Sequence, residues 1–161
     1  MHRRDLLQFS LGASVFLAGA SLVGCSPQAS APGFSTLRDD DLPLLHALTP
    51  VVLAGTQASP TLVLHSLDHK LAALSPAMLK LTRQLFDVLN LPLTRGPLTG
   101  VWGRWENASP AQVSAFLARW QDSSLNLLRM GHASLLQLLL MAWYERPEAW
   151  AACGYPGPPN I

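Results

Sequence analysis

The sequence predicts an all-α fold: a small irregular bundle of four to six helices with an extended Pro/Gly-rich C-terminal tail. Three observations carry this. Ser-Pro pairs recur at 59–60, 75–76 and 109–110, and each is a helix-start signal in which serine caps and proline fits the first turn. The residues that follow them place apolar side chains at helical spacing. No segment alternates apolar and polar residues convincingly with the period of two that marks a half-buried strand, and no internal repeat appears.

The chain opens with Arg3-Arg4-Asp5-Leu6-Leu7-Gln8, an apolar run over 11–23, and Leu22-Val23-Gly24-Cys25. Arg3, Arg4, Leu6 and Leu7 read as a twin-arginine export signal, with Asp5 inside it and Gln8 at the usual lysine position; Sec export is the alternative. The apolar run is shorter than the ~20 residues of a spanning helix. Leu-Val-Gly-Cys matches the site cut by the lipoprotein signal peptidase. Residues 1–24 are therefore expected to be removed, with an uncleaved membrane anchor as the competing reading. Cys25 is then the lipidated first residue of a protein on the periplasmic side of a bacterial membrane. Ser26 after the cysteine favours the outer membrane over the inner.

Residues 25–37, with Pro27, Pro32 and Gly33, read as a lipid-anchored flexible tether, and 38–161 as a helical domain with its tail. Asp39, Asp40 and Asp41 precede a helix expected from about 39 to 56, bent at Pro50. Ser59-Pro60 opens a helix to about Leu74, and Ser75-Pro76 another to about Leu89. Residues 90–108 hold Pro92, Gly96, Pro97, Gly100 and Gly103 and read as a loop, although Trp102, Arg104 and Trp105 lie in it. Ser109-Pro110 starts a helix to about Asp122, with Val113, Phe116, Leu117 and Trp120 on one stripe. Ser123 or Ser124 caps the longest helix, to about Tyr144, whose apolar second half is expected at the centre of the bundle. After Arg146-Pro147 and Trp150 the tail runs on as Gly154-Tyr155-Pro156-Gly157-Pro158-Pro159-Asn160-Ile161.

Formal net charge is +1, which suggests no nucleic-acid partner. Charged residues make up only 13% of the chain, against ~25% in ordinary soluble domains. Apolar residues reach 49%, with five tryptophans. With no mature segment long enough to span a bilayer, the excess points to a large core or a surface covered by a partner. Cys153 has no intrachain partner if Cys25 carries lipid, and its small neighbours suggest burial.

Few residue patterns in the chain suggest chemistry. His65 and His69 stand at i, i+4 with Asp68 between them, but no glutamate follows the first histidine and no third ligand is linked to them. They read as polar positions on an amphipathic helix. Arg129 and His132, with Gln137 near, could bind an anion or serve acid–base chemistry, and more simply form a polar stripe. Asp39 to Asp41 read as dipole partners of a helix. There is no Gly-x-Ser-x-Gly, no phosphate loop and no haem or iron–sulfur motif. No cofactor site is expected in this chain. A twin-arginine signal serves folded cargo, so a cofactor-bearing partner exported on the same signal is expected instead.

Arg3-Arg4, Ala142-Trp143-Tyr144 and Gly154-Tyr155-Pro156-Gly157-Pro158, together with the chain's size, resemble the small subunit of bacterial membrane-associated GMC-type dehydrogenases. That group includes gluconate 2-dehydrogenase subunit 3 and the sorbitol dehydrogenase small subunit. The resemblance implies a non-catalytic subunit needed for export and maturation of a large subunit that holds FAD, with a c-type cytochrome often accepting the electrons. The lipobox departs from that pattern and would put a membrane anchor on the small subunit itself. The expected partner contacts are Trp102, Arg104, Trp105, Trp143, Tyr144, Trp150, Tyr155, Pro156, Gly157 and Pro158, with loop 95–105 and tail 154–161 gripping the flavoprotein. Aromatic residues and arginine are the usual anchors of interfaces. Two further readings are a stand-alone lipoprotein binding a small apolar ligand or an envelope component, and a small enzyme using Arg129 and His132.

Overall fold

The structure, a computed structural model, describes residues 29–157. The export signal Arg3, Arg4, Leu6 and Leu7, the lipidation site Cys25, and Pro158 lie outside the described residues. Among the described residues the fold is all-α, with seven α-helices and two short 3-10 turns. The helices are α1 (Leu42–Val52), α2 (Pro60–Ala72), α3 (Pro76–Asn90), α4 (Pro92–Thr99), α5 (Pro110–Gln121), α6 (Asn126–Tyr144) and α7 (Pro147–Cys153). None of them is long and apolar enough to cross a membrane.

Proline writes most of the boundaries. Pro60, Pro76, Pro92, Pro110 and Pro147 each occupy the first residue of a helix, where a missing N–H costs nothing because that donor has no intrahelical partner. Ser109 and Gln112 complete a reciprocal capping box, the Ser109 amide donating to Gln112 Oε1 at 2.9 Å and the Gln112 amide to Ser109 Oγ at 3.2 Å. Ser75 Oγ accepts from the Met78 amide. Two proline starts lie where the sequence suggested loop and tail. Helix α4 runs across Gly96 and Pro97, with the Thr94 and Thr99 hydroxyls turned back onto the Leu91 and Arg95 carbonyls, and Gly100, at φ 78°, ends it. Helix α7 follows Arg146 by the same device.

The central element is α1, not α6. Leu44, Leu45, Leu48 and Thr49 of α1 are fully enclosed, and α2, α5, α6 and the 3-10 turn Trp105–Asn107 pack around it. The expected helix over 39–56 divides into a 3-10 turn, Asp39–Asp41, and α1. Pro50 lies in the last turn of α1, where it has no donor for the His46 carbonyl one turn back. Helix α6, expected at the centre, is a flank: Leu135, Leu139, Ala142 and Trp143 face the core, whereas Leu127, Met130, Met141 and Tyr144 are exposed.

The segment expected to be flexible up to residue 37 is part of the packed domain. Ala31, Thr36 and Leu37 are buried, and Ser30 pairs with Arg38 in an isolated antiparallel bridge. The cause is Asp68. Its carboxylate accepts the Ser35, Thr36 and Leu37 amides, each at 2.8 Å, and the Ser35 hydroxyl at 2.7 Å. Burial alone would favour the neutral acid, but these four donors outweigh it and hold the carboxyl below the usual aspartate range. Beside it, Arg38 forms a bidentate pair with Asp41, through Nε at 3.0 Å and Nη2 at 2.8 Å, and reaches Asp87 of α3 at 2.6 Å. Arg83 Nη2 donates to the Thr36 carbonyl. The segment is thus fastened to α2 on one side and α3 on the other.

Three tryptophan indoles end helices rather than merely filling space. Trp105 Nε1 donates to the Leu89 carbonyl of α3, Trp120 Nε1 to Leu98 of α4, and Trp150 Nε1 to Tyr144 of α6, at 3.0, 2.9 and 2.8 Å. The last four carbonyls of a helix lack intrahelical donors. At the end of α3 all four are satisfied: Asp87 by the Leu91 amide, Val88 by Thr94 Oγ1, Leu89 by Trp105, and Asn90 by Arg95.

Candidate functional site

The residues expected to meet a partner separate into core and surface. Trp105, 2% exposed, lies inside, tilted on Phe116 with ring centres 5.9 Å apart. Trp143, 4% exposed, faces the core from α6. Both are corrected from contact residues to core residues: the apolar excess of the sequence is spent partly inside. Cys153, expected to be buried, is exposed near the end of α7.

The C-terminal aromatics do come together. Trp150 holds the last carbonyl of α6 through its indole. Gly154 adopts φ 68°, and the Gly154 and Tyr155 amides return to the Ala151 and Trp150 carbonyls, at 3.3 and 2.9 Å. This is a Schellman turn, with its usual apolar contact supplied by Trp150 and Tyr155, edge to face at 5.8 Å. Gly157 comes so close to the Trp150 ring that a Cβ there would stand 3.4 Å from it. Tyr155 and Pro156 are exposed, as is Tyr144 beside the turn. The tail therefore leaves α7 in a set direction, packed on Trp150.

The segment 95–105 is not a free loop. Trp102 is 78% exposed, yet its ring lies on Gly96 of α4 so closely that a Cβ at 96 would fall 2.5 Å from it. Arg104 projects into solvent and pairs with Glu106 at 2.7 Å, a bond that holds the Glu106 carboxyl below its usual range. Leu93, exposed on the same helix α4 as Gly96, and Arg119, whose guanidinium lies over Gly100, escaped the sequence reading. The available signal was Leu91-Pro92, a helix start without serine.

These two clusters lie toward opposite ends of α6. Trp120 joins the Trp102 end to it: the indole bonds Leu98 and the ring covers Gly131. Tyr144 marks the other end, and thirteen residues of helix span about 20 Å. Between them an uncharged exposed stripe follows helical spacing: Leu127, Met130, Ser134, Gln137, Met141 and Tyr144. Gln137 Nε2 lies 3.7 Å from Met141 Sδ along it.

Several of the candidate chemical groups make structural contacts. Asp68 is saturated by the N-terminal segment, and His65 is stacked on Phe34 at 4.7 Å. No group of three or more potential metal ligands occurs among the described residues. Arg129 donates to the Ser123 carbonyl and to Asn126 Oδ1, closing the turn before α6. His132 is not joined to it; it lines an open groove with Val51, Val52, Leu117, Leu136 and Leu140. Asp41 is taken by Arg38, while Asp39 and Asp40 are exposed.

Comparison with protein-family models, with curated proteins and with solved structures finds no match to this chain. What the coordinates define is a class: an all-α bundle with an uncharged exposed helix stripe and an ordered aromatic tail turn.

Proposed function

We propose that this chain is an exported, lipid-anchored, non-catalytic accessory subunit, similar to the small subunit of GMC-type dehydrogenases. In this reading it binds the FAD-bearing large subunit and carries it through the twin-arginine pathway, and a c-type cytochrome accepts the electrons. One observation supports it above the others. The exposed stripe Leu127, Met130, Ser134, Gln137, Met141 and Tyr144 of α6 carries no charge, with Arg129 to one side of it, and it ends beside the Trp150–Tyr155 turn. Methionine and tyrosine are enriched, and acidic residues and lysine depleted, where proteins meet partners. Residues 154–157 are already turned and packed on Trp150, so docking them loses little conformational entropy.

A second reading, a stand-alone lipoprotein holding a small apolar ligand, is favoured by the groove that Val51, Val52, Leu117, Leu136 and Leu140 line together with His132. One experiment separates them. Purification of the tagged full-length chain from its native host yields a yellow, flavin-containing complex on the first reading, and a colourless protein with bound ligand on the second. Deleting residues 154–161 should leave the flavoprotein in the cytoplasm. An active flavoprotein still exported with the shortened chain rules out the tail as its grip.

A further inference from the structure

The clamp at Asp68 shortens the leash between lipid and domain. Ala31 is already buried, so only residues 26–30 separate it from Cys25. At full extension that stretch brings the Ala31 backbone no farther than about 20 Å from Cys25. A compact domain of this size is roughly 35 Å across. A domain held at one point by a leash shorter than its own diameter cannot turn its far side to the anchor. We infer that the outer face of α2, beside the point where residues 31–35 join the bundle, lies against the lipid headgroups. The inference rests on the lipidation of Cys25 assumed in the proposed function.

The surface at that point suits a bilayer. The segment enters along α2, where Phe34 stacks on His65 and Ser35 is held by Asp68. Thr61, Leu62, His65, His69 and Ala72 are all exposed and follow helical spacing along this side. None is acidic. Asp68, the one carboxylate of α2, is turned inward and fully occupied. On the adjoining flank of α3, Lys80 is exposed and Arg83 binds the segment, while Asp87 is paired with Arg38. Asp40 stands at the far end of the segment, its carbonyl bonded by Asn90. An uncharged face with cations at its margin is what a surface lying on anionic headgroups needs.

The test uses the full-length lipidated protein with Cys153→Ser, reconstituted alone into vesicles of phosphatidylethanolamine and phosphatidylglycerol. Single cysteines are placed by Leu62→Cys and His69→Cys on this face, and by Ala115→Cys on the exposed side of α5. A membrane-impermeant maleimide should label the first two at least about fivefold more slowly in vesicles than in detergent, because they sit in the headgroup layer. The rate at Ala115→Cys should not change. Equal protection of all three sites, or of none, overturns the inference. So does protection of Leu62→Cys that occurs in native membranes but not in these vesicles, which assigns the face to a protein. A fifteen-residue Gly/Ser insertion after Ser26 should remove the difference, and its persistence overturns the leash argument. Intact mass reports the lipid on Cys25 separately: an unmodified Cys25 defeats the lipidation reading itself.

Discussion

Ser35 gives both its amide, at 2.8 Å, and its hydroxyl, at 2.7 Å, to the Asp68 carboxylate thirty-three positions later. Thr36 and Leu37 add two more amides, so one side chain of α2 organises a segment that has no regular structure of its own. Hydrogen bonds to a charged acceptor are stronger than neutral ones, and deleting the acceptor leaves buried donors unpaired. Asp68→Ala should lower unfolding free energy by about 3 kcal/mol in urea titrations, and Asp68→Asn by roughly half as much. Limited proteolysis should then cut within residues 29–38 before the helices. An Asp68→Ala protein as stable and as resistant as the parent contradicts the clamp.

The same carboxylate sets an acid dependence. Its folded pKa lies below the unfolded value of ~3.9. Its contribution is therefore complete above pH ~4 and is lost as pH falls from there through the lower native value. Urea midpoints should drop over that window in the parent and fall less steeply in Asp68→Asn. Parallel curves would show that Asp68 is not the group responsible.

Two glycines provide a matched pair. A Cβ at Gly131 would sit 2.5 Å from the Trp120 ring, which cannot retreat without losing its bond to Leu98. A Cβ at Gly103 would meet nothing within 4 Å. Overpacking typically costs 1–3 kcal/mol, and alanine returns about 1 kcal/mol of helix propensity at 131. Gly131→Ala should destabilise by roughly 1–2 kcal/mol net, and Gly103→Ala should stay within about 0.5 kcal/mol of the parent. Thermal denaturation followed by tryptophan fluorescence compares them directly.

Trp102 and Trp105 should behave oppositely. Trp105→Phe keeps an aromatic ring but removes the indole N–H from the Leu89 carbonyl and some buried volume, a loss of about 2–3 kcal/mol of stability with partner binding retained. Trp102→Ala removes an exposed ring and should change stability by less than about 0.5 kcal/mol. In the accessory-subunit reading it should lower recovery of the flavoprotein about tenfold, the scale of a lost interface anchor. Unchanged recovery would take Trp102 out of the interface.

If one signal exports two proteins, replacing Arg3 and Arg4 by lysine should strand this chain and the flavoprotein together in the cytoplasm. Fractionation with antibodies to each protein reads the result. Stranding of this chain alone would refute the shared signal.

Helix starts were legible because proline and serine act locally. Pro60, Pro76 and Pro110 open helices where Ser-Pro marked them, and Val113, Phe116, Leu117 and Trp120 face inward as their spacing required. Leu91-Pro92 and Arg146-Pro147 carry the same proline signal without the serine, among glycines and prolines that suggest loops, so α4 and α7 were hidden in plain sight. The outward stripe of α6 was harder to read, since leucine and methionine fill both sides of that helix and composition does not say which side a neighbour covers.

The sequence by itself determined the all-α class and the helix starts at its three Ser-Pro pairs, because these depend on φ restriction, capping and spacing within a few residues. Only the tertiary structure decided which tryptophans are core, which helix is central, and that residues 31–37 belong to the domain. Each of those depends on partners far apart in the chain, such as Trp105 with Leu89 or Ser35 with Asp68. A hydrogen bond between distant residues leaves no local pattern; it exists only once packing has brought its donor to its acceptor.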